Sequence, residues 1–309
     1  MVEPILKWAG GKRQLLDALY ARFPDSFDRY HEPFVGGGAL FFDLEPNAGT
    51  INDANPRLVS LYERVRDEPG RLIERLESFA DPESEPDPDL PYAETTQRGR
   101  DVESYYYQQR ARFNDRPYTG EYDPLEEAAL LVYLNRTCYN GLYRENADGG
   151  FNVPIGRYAD PDWIKRDRIR RASETLADVE VYNRDFEYVL DVADPGDLVY
   201  FDPPYEPMSL TADFTAYSAD GFDREDQERL IEVATTLDDR GVNVLVSNSG
   251  VTYDRYAATG FHVDTVDATR AINSDGDGRE AVDEVIATNV SGSDRLDAGQ
   301  RALSTFEDR

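Results

Sequence analysis

Asp202-Pro203-Pro204-Tyr205 directly follows the apolar run Leu198-Val199-Tyr200-Phe201. A short apolar run bounded by turn residues reads as a buried strand. Open α/β sheets gather their ligands at the carboxyl ends of strands. The residue types suit one chemistry. The exocyclic amine of a nucleobase is a poor nucleophile because its lone pair is delocalised into the ring. Two acceptors aimed at its hydrogens pyramidalise the nitrogen and free the lone pair. Asp202 can supply one acceptor and the Pro203 carbonyl the other, while Pro203 and Pro204 stiffen the backbone. Tyr205 offers a face on which an extruded base stacks. Read locally, the same tetrapeptide is also a proline turn with a capping aspartate.

A second group of residues lies near the start. His31-Glu32-Pro33-Phe34-Val35 reads as a strand running into Gly36-Gly37-Gly38, and such turns let a nucleotide approach the backbone closely. The nicotinamide fingerprint wants a third glycine where this chain has Phe41, so a dinucleotide fits poorly. Thr50-Ile51-Asn52 reads as the next strand and ends in Asp53, from which a carboxylate can bind ribose hydroxyls. Turn and acid together indicate an adenosine-bearing cofactor. A tight βα turn with a surface aspartate is the plain alternative.

The elements that must position these groups alternate. Helical patterns cover Leu15–Tyr20, Ala39–Leu44 and about Pro56–Arg66. Strand-helix alternation resumes with Val179–Tyr182, Asp197–Phe201, a helix over Asp223–Leu237, and Val242–Ser247. Phe261–Ala268 and Ala281–Ala287 look like a closing hairpin pair. Between the halves, Asp81–Pro91 reads as an acidic loop, Tyr105–Phe113 and Leu125–Tyr133 as helices, and 135–158 as an aperiodic recognition loop. The fold expected is α/β: a Rossmann-like, mostly parallel sheet with one reversed strand near the C-terminus and an inserted, mainly helical recognition domain. Its parts are 1–58 and 159–289 as the catalytic domain, 59–158 as the insert, and 290–309 as a polar, frayed tail.

The recognition loop carries Tyr139-Asn140-Gly141-Leu142-Tyr143-Arg144 and then Phe151-Asn152-Val153-Pro154. An arginine fork reads guanine O6 and N7, apolar groups touch a thymine methyl, and an aromatic can wedge between base pairs. A surface ion pair is the plain reading of Arg144 alone.

Taken together, these strings resemble the Dam family of DNA adenine-N6 methyltransferases, the D12 class with the alpha-type motif order. The resemblance covers most of the chain. Lys7-Trp8-Ala9-Gly10-Gly11-Lys12 matches the family's opening, which makes Trp8 and Lys12 cofactor-lining residues. It likewise implies Glu32, Phe34, Gly36 and Gly38 in the glycine motif, Asp53 as the ribose acid, Asp185 and Phe186 beside the cofactor's adenine, and Asp202 as the catalytic acid. Arg270–Ser274, Arg279 and Glu284 look like its closing motif. In GATC-specific members the contacts to the target fall to residues matching Tyr139, Leu142, Arg144 and Pro154, with Asn140 in the same string. The resemblance implies S-adenosylmethionine as methyl donor, double-stranded DNA as partner, a monomer, and a cognate restriction endonuclease as a possible companion.

Composition pulls the other way. The net charge is −29, with 62 acidic residues against 33 basic ones, and only Lys7, Lys12 and Lys165 are lysines. Phosphate contacts normally dominate DNA affinity, and an acidic surface repels them. Such a surface suits a salt-adapted protein, whose self-repulsion is screened within about 3 Å at 1 M salt. The single cysteine, Cys138, excludes an internal disulfide and a multi-cysteine zinc site. His31 and His262 have no metal-ligand spacing, so no metal is expected. No apolar run spans a membrane and the start lacks a signal peptide's core, so a cytoplasmic location is expected. Two rivals remain: a cytosine-N4 methyltransferase, which needs the same geometry, and a catalytically silent DNA-binding module. Methylation at cytosine C5 needs a nucleophilic cysteine near the strand-end prolines, and Cys138 lies elsewhere in the sequence.

Overall fold

The computed structural model describes residues 2–8, 10, 12–89, 96–97, 100–101, 104–119, 122–205, 222–268 and 282–296. The chain divides into two compact units: one of 1–11, 36–38 and 55–177, the other of 12–35, 39–54 and 178–309.

The second unit holds a seven-stranded sheet. Its strands are β1 (Tyr30–Glu32), β2 (Gly49–Asn52), β3 (Val179–Tyr182), β4 (Leu198–Phe201), β5 (Asn243–Ser249), β6 (His262–Ala268) and β7 (Val282–Thr288). The order is β3-β2-β1-β4-β5-β7-β6. The first five are parallel, while β7 runs antiparallel to both β5 and β6. The expected mostly parallel α/β sheet with a reversed strand is therefore what forms. Central β1, β2 and β4 are buried at every position; β4 is an unbroken apolar run, whereas β1 and β2 also bury His31, Glu32, Thr50 and Asn52, each with hydrogen-bond partners. Edge strand β3 keeps only Val179 buried. One face of the sheet packs Val199, Phe201, Val244 and Val246 against Leu230, Val233, Ala234 and Leu237 of the helix Arg224–Asp239. Asp223 starts that helix in a reciprocal capping box with Asp226. Strand order reverses between β1 and β4, the switch point at which such sheets open a crevice.

The expected fraying from Ser291 is corrected over its first residues. Asp25 N–H donates to Asp294 O at 2.9 Å and Leu296 N–H to Phe23 O at 3.0 Å, so backbone pairing holds 294–296. Residues 297–309 lie outside the described ones.

The first unit is helical: Pro56–Asp67, Pro69–Glu77, Tyr105–Thr119, Pro124–Thr137 and Arg166–Leu176, with a two-stranded ribbon, Thr96–Gln97 and Arg100–Asp101. Asn55 and Asp123 cap two of these helices, each followed by proline at the first turn. Pro124–Thr137 runs through the middle, buried from Glu126 to Asn135. Burying two carboxylates is tolerated because arginines meet them. Arg112 reaches Glu126 at 2.7 Å, Arg75 bonds it through two nitrogens, and Arg57 lies 3.4 Å from Glu127.

Candidate active site

At the end of β4 the tetrapeptide leaves the sheet with Pro203 buried, Pro204 exposed and Asp202 and Tyr205 partly buried. Phe201 pairs with Val246 across β4 and β5, so the next positions, Asp202 and Ser247, also face each other. Ser247 Oγ donates to Asp202 Oδ1 at 3.0 Å. Lys12, in the single turn Lys12–Gln14, brings its ammonium to the same Oδ1 at 3.1 Å and to Glu284 Oε2 on β7 at 3.4 Å. It also bonds the Tyr205 hydroxyl. Burial alone would discharge Lys12, yet Asp202, Tyr205 and Glu284 outweigh it and hold the ammonium above its ordinary value. Burial pushes the Asp202 carboxyl up, and Lys12 and Ser247 pull against that. The Pro204 carbonyl takes a 3.4 Å bond from the buried Gln227 amide, which Asn248 in turn grips at 2.9 Å. This fixes the turn from behind.

Across the switch point, Glu32 ends β1 and is only 3% exposed. Its carboxyl accepts from Tyr30 Oη at 2.7 Å and from the Phe41 backbone. Burial, with Asp202 nearby, pushes it up to about 8. Phe34 lies 5.5 Å from Phe186 and 5.6 Å from Phe222, centroid to centroid, forming an aromatic wall. Asp185 caps its own turn through Glu187 N–H and takes Arg229 at 2.9 Å. Arg229 also spans to Glu187 and Asp226, and its guanidinium sits 4.9 Å from the Phe186 ring. Asp53 follows β2, its carbonyl held by Asn183 at 2.8 Å.

Asn52 is a residue that motif reading passes over. It is buried, and its amide donates to Pro33 O at 2.9 Å and Arg184 O at 3.0 Å, while its oxygen accepts from Arg184 N–H at 2.8 Å. One side chain thus fastens the segments leaving β1, β2 and β3. His31 is also structural: it bridges Thr50 at 2.9 Å and Asp197 at 3.0 Å, and burial lowers its basicity.

In the helical unit, Trp8 stacks on Tyr143 with centroids 5.1 Å apart. Its flank presses on Gly36 and Gly37. A Cβ on Gly37 would come within 2.6 Å of Trp8 Cβ, so the turn accepts no side chain there. Gly38 is buried, and Gly36 has φ +48°. Buried Asn135 exchanges bonds with the Lys7 backbone at 2.8 and 2.7 Å and donates to Gly141 O at 3.0 Å, tying the opening segment to the turn Tyr139–Gly141. From that base project Tyr139, 46% exposed, Asn140 at φ 54°, and exposed Arg144 and Pro154, with Leu142 half-buried. Tyr139 N–H donates to Pro154 O at 2.9 Å, and Asn152 holds Arg144 Nε at 2.6 Å, so these side chains share one braced hairpin. Arg144 pairs with no carboxylate among the described residues. Burial pushes the Cys138 thiol up to about 12, which removes thiolate chemistry.

Of the closing motif, Glu284 joins the Lys12 cluster, whereas Arg270–Ser274 and Arg279 lie outside the described residues. Among the described residues, no helix is long and apolar enough to cross a membrane and no group of three ligand-type side chains could hold a metal.

A family model described as D12 class N6 adenine-specific DNA methyltransferase matches residues 8–272. A type II methyltransferase of Lactococcus lactis subsp. cremoris is 37% identical over 293 residues, 93% of this chain and 95% of that protein. A type II methyltransferase of Methanocaldococcus jannaschii is 37% identical over 289 residues, 90% of this chain and 96% of its own length. The DNA adenine methylase of Escherichia coli is 35% identical over 284 residues, 91% and 93% of the two chains.

Proposed function

Because this chain belongs to the D12 class of N6 adenine-specific DNA methyltransferases, we propose that it methylates adenine within GATC in double-stranded DNA, using S-adenosylmethionine and Asp202-Pro203-Pro204-Tyr205. The observation that carries this reading is the tetrapeptide's place at the switch-point end of β4, with Asp202 braced by Lys12 and Ser247. An ionised Asp202 accepts one hydrogen of the amine and the Pro203 carbonyl the other; Tyr205 packs against the extruded base. The amine nitrogen attacks as its lone pair leaves conjugation, so no enzyme nucleophile is needed.

The side chains present suit the methyl donor. Asp53 offers a carboxylate for ribose hydroxyls, and Phe34 and Phe186, tilted 32° to one another with centroids 5.5 Å apart, offer aromatic faces on which an adenine can pack. Asp185 holds the border of that surface through Arg229. Glu32, Gly36, Gly38, Trp8 and Lys12 complete the residues assigned to cofactor binding. When bound, S-adenosylmethionine supplies a methyl group on a positively charged sulfur leaving group.

Specificity rests on the hairpin. Arg144, held at Nε by Asn152, keeps its two terminal nitrogens for guanine O6 and N7. Leu142 and Pro154 offer apolar contact to thymine, exposed Tyr139 the wedge, and Asn140 a polar contact beside it. Residues 59–158 are the assigned recognition domain. The description of two relatives as type II methyltransferases supports a companion restriction endonuclease acting on the same site.

The test is methylation of plasmid DNA at high salt, scored with a nuclease that cuts only methylated GATC. Cleavage with wild type and none with Asp202→Ala supports the proposal. Methyl incorporation at another tetranucleotide, or N4-methylcytosine in the digested product, would overturn the assigned target.

A further inference from the structure

A buried three-member hydrogen-bond relay stands behind the carboxylate assigned to the amine. Tyr200 Oη lies 2.8 Å from Ser247 Oγ, and Ser247 Oγ lies 3.0 Å from Asp202 Oδ1. Tyr200 is 1% exposed and Ser247 is fully buried. The proton order follows from the groups themselves. An ionised carboxylate only accepts, so Ser247 must spend its one proton on Asp202. Its oxygen then has only lone pairs for Tyr200, whose hydroxyl must be the donor. Burial pushes the Tyr200 phenol well up, so it keeps that proton throughout the working range. Each bond in such a chain polarises the next.

The relay also selects between the two carboxylate oxygens. Oδ1 receives Ser247 at 3.0 Å and the Lys12 ammonium at 3.1 Å. We propose that Ser247, oriented by Tyr200, is a positioning residue for methyl transfer: it pins Oδ1 so that Oδ2 is the oxygen presented to the adenine amine. The inference rests on the reading of Asp202 given above. Ser247 touches neither base nor cofactor in this scheme; it acts through Asp202. Its strand position is not incidental, since β4 and β5 are in register up to Phe201 and Val246, one residue before the pair.

The charged and titratable groups facing Asp202 come from several elements. They are Lys12 from the opening turn, Glu32 from β1, Tyr200 and Tyr205 from β4 and its exit, and Glu284 from β7. Ser247 is the uncharged member, so its removal leaves the charge count unchanged and isolates the hydrogen bond. The bond favours the ionised carboxylate, and without it Asp202 protonates at higher pH.

The experiment measures single-turnover methylation of a duplex substrate by Ser247→Ala, Ser247→Thr, Tyr200→Phe and Asp202→Ala across pH. Affinities for S-adenosylmethionine and DNA are measured on the same preparations. A hydrogen bond to a charged group corresponds to a loss of roughly ten- to a hundredfold in the rate for Ser247→Ala. Both affinities stay at wild-type values, and the acid limb of the rate profile moves to higher pH. Ser247→Thr restores the rate and the limb, and Tyr200→Phe shows a smaller loss in the same direction. If Ser247→Ala is within twofold of wild type with an unmoved acid limb while Asp202→Ala is inactive, the relay is refuted and the reading of Asp202 stands. If Ser247→Ala loses affinity for both ligands and Ser247→Thr restores nothing, Ser247 is merely structural and the proposal fails. If Asp202→Ala itself turns over, both readings fall together.

Discussion

Replacing Glu32 by glutamine should stabilise the protein at neutral pH and flatten its pH dependence. Glu32 is 3% exposed at the end of β1 and is pushed from an ordinary 4.5 up to about 8, chiefly by burial. Its folded-state value is raised, so the sign is opposite to that of an ordinary salt-bridged carboxylate. Below 4.5 it is protonated in both states and costs nothing. Between 4.5 and 8 only the unfolded state ionises, and stability drains away as pH rises, by about 1.4 kcal/mol per pH unit. At pH 7 the accumulated penalty is about 3 kcal/mol. Glutamine has the same shape and no charge. Its oxygen can accept from the Phe41 backbone, but its amide must turn Tyr30 Oη from donor to acceptor, which costs about 1 kcal/mol. The net gain at pH 7 is about 2 kcal/mol, or about 4–8 °C in melting temperature for a domain of this size. Thermal melts of wild type and Glu32→Gln at 2 M salt, from pH 5 to 8, test it. The difference between them should open steadily with pH. Parallel curves, or a variant less stable at pH 7.5 than at pH 5.5 relative to wild type, would refute the argument.

Three other outcomes follow from the same geometry. Asp53→Ala should weaken S-adenosylmethionine binding by about 1–3 kcal/mol in calorimetry, the range for a lost charged hydrogen bond. Arg144→Ala should cost about 1–3 kcal/mol at one base pair and relax discrimination there; equal weakening on all sequences would mark a phosphate contact instead. With 62 acidic side chains against 33 basic ones, the melting temperature should rise between 0.1 and 2 M salt, and a steady fall would contradict salt adaptation.

The sheet was legible because turn residues bracket its strands and because some, such as Leu198-Val199-Tyr200-Phe201, are apolar runs; β1 is offset from the His31–Val35 reading because its buried His31 and Glu32 are polar. Asp202 and Asp53 were legible as candidates for a related reason: each immediately follows a strand, and strand ends are where α/β sheets gather ligands. What escaped notice was tertiary. Ser247, Asn52, Gln227 and Arg229 are ordinary polar residues in sequence, and they acquire meaning only from partners 19 to 132 positions away. Nothing in the helical pattern of Leu125–Tyr133 marks Glu126 and Glu127 as buried; arginines from three other helices meet them there. The pairing of 294–296 with Phe23–Asp25 was hidden because polar, proline-free sequence carries no periodic signal.

In the proposed cofactor site, the Asn52 clip bears on how fast a nucleoside would dock. Because one amide ties Pro33, Arg184 and its own strand together, the Phe34, Asp53 and Asp185 segments are set before any ligand arrives. Association then needs no ordering of these three segments, so they add no slow conformational step to it. The same arrangement makes the amide irreplaceable by its nearest isostere. An aspartate at position 52 would aim an oxygen, instead of two N–H donors, at two carbonyl oxygens. The three segments would separate, and the pocket would have to assemble anew around each incoming molecule.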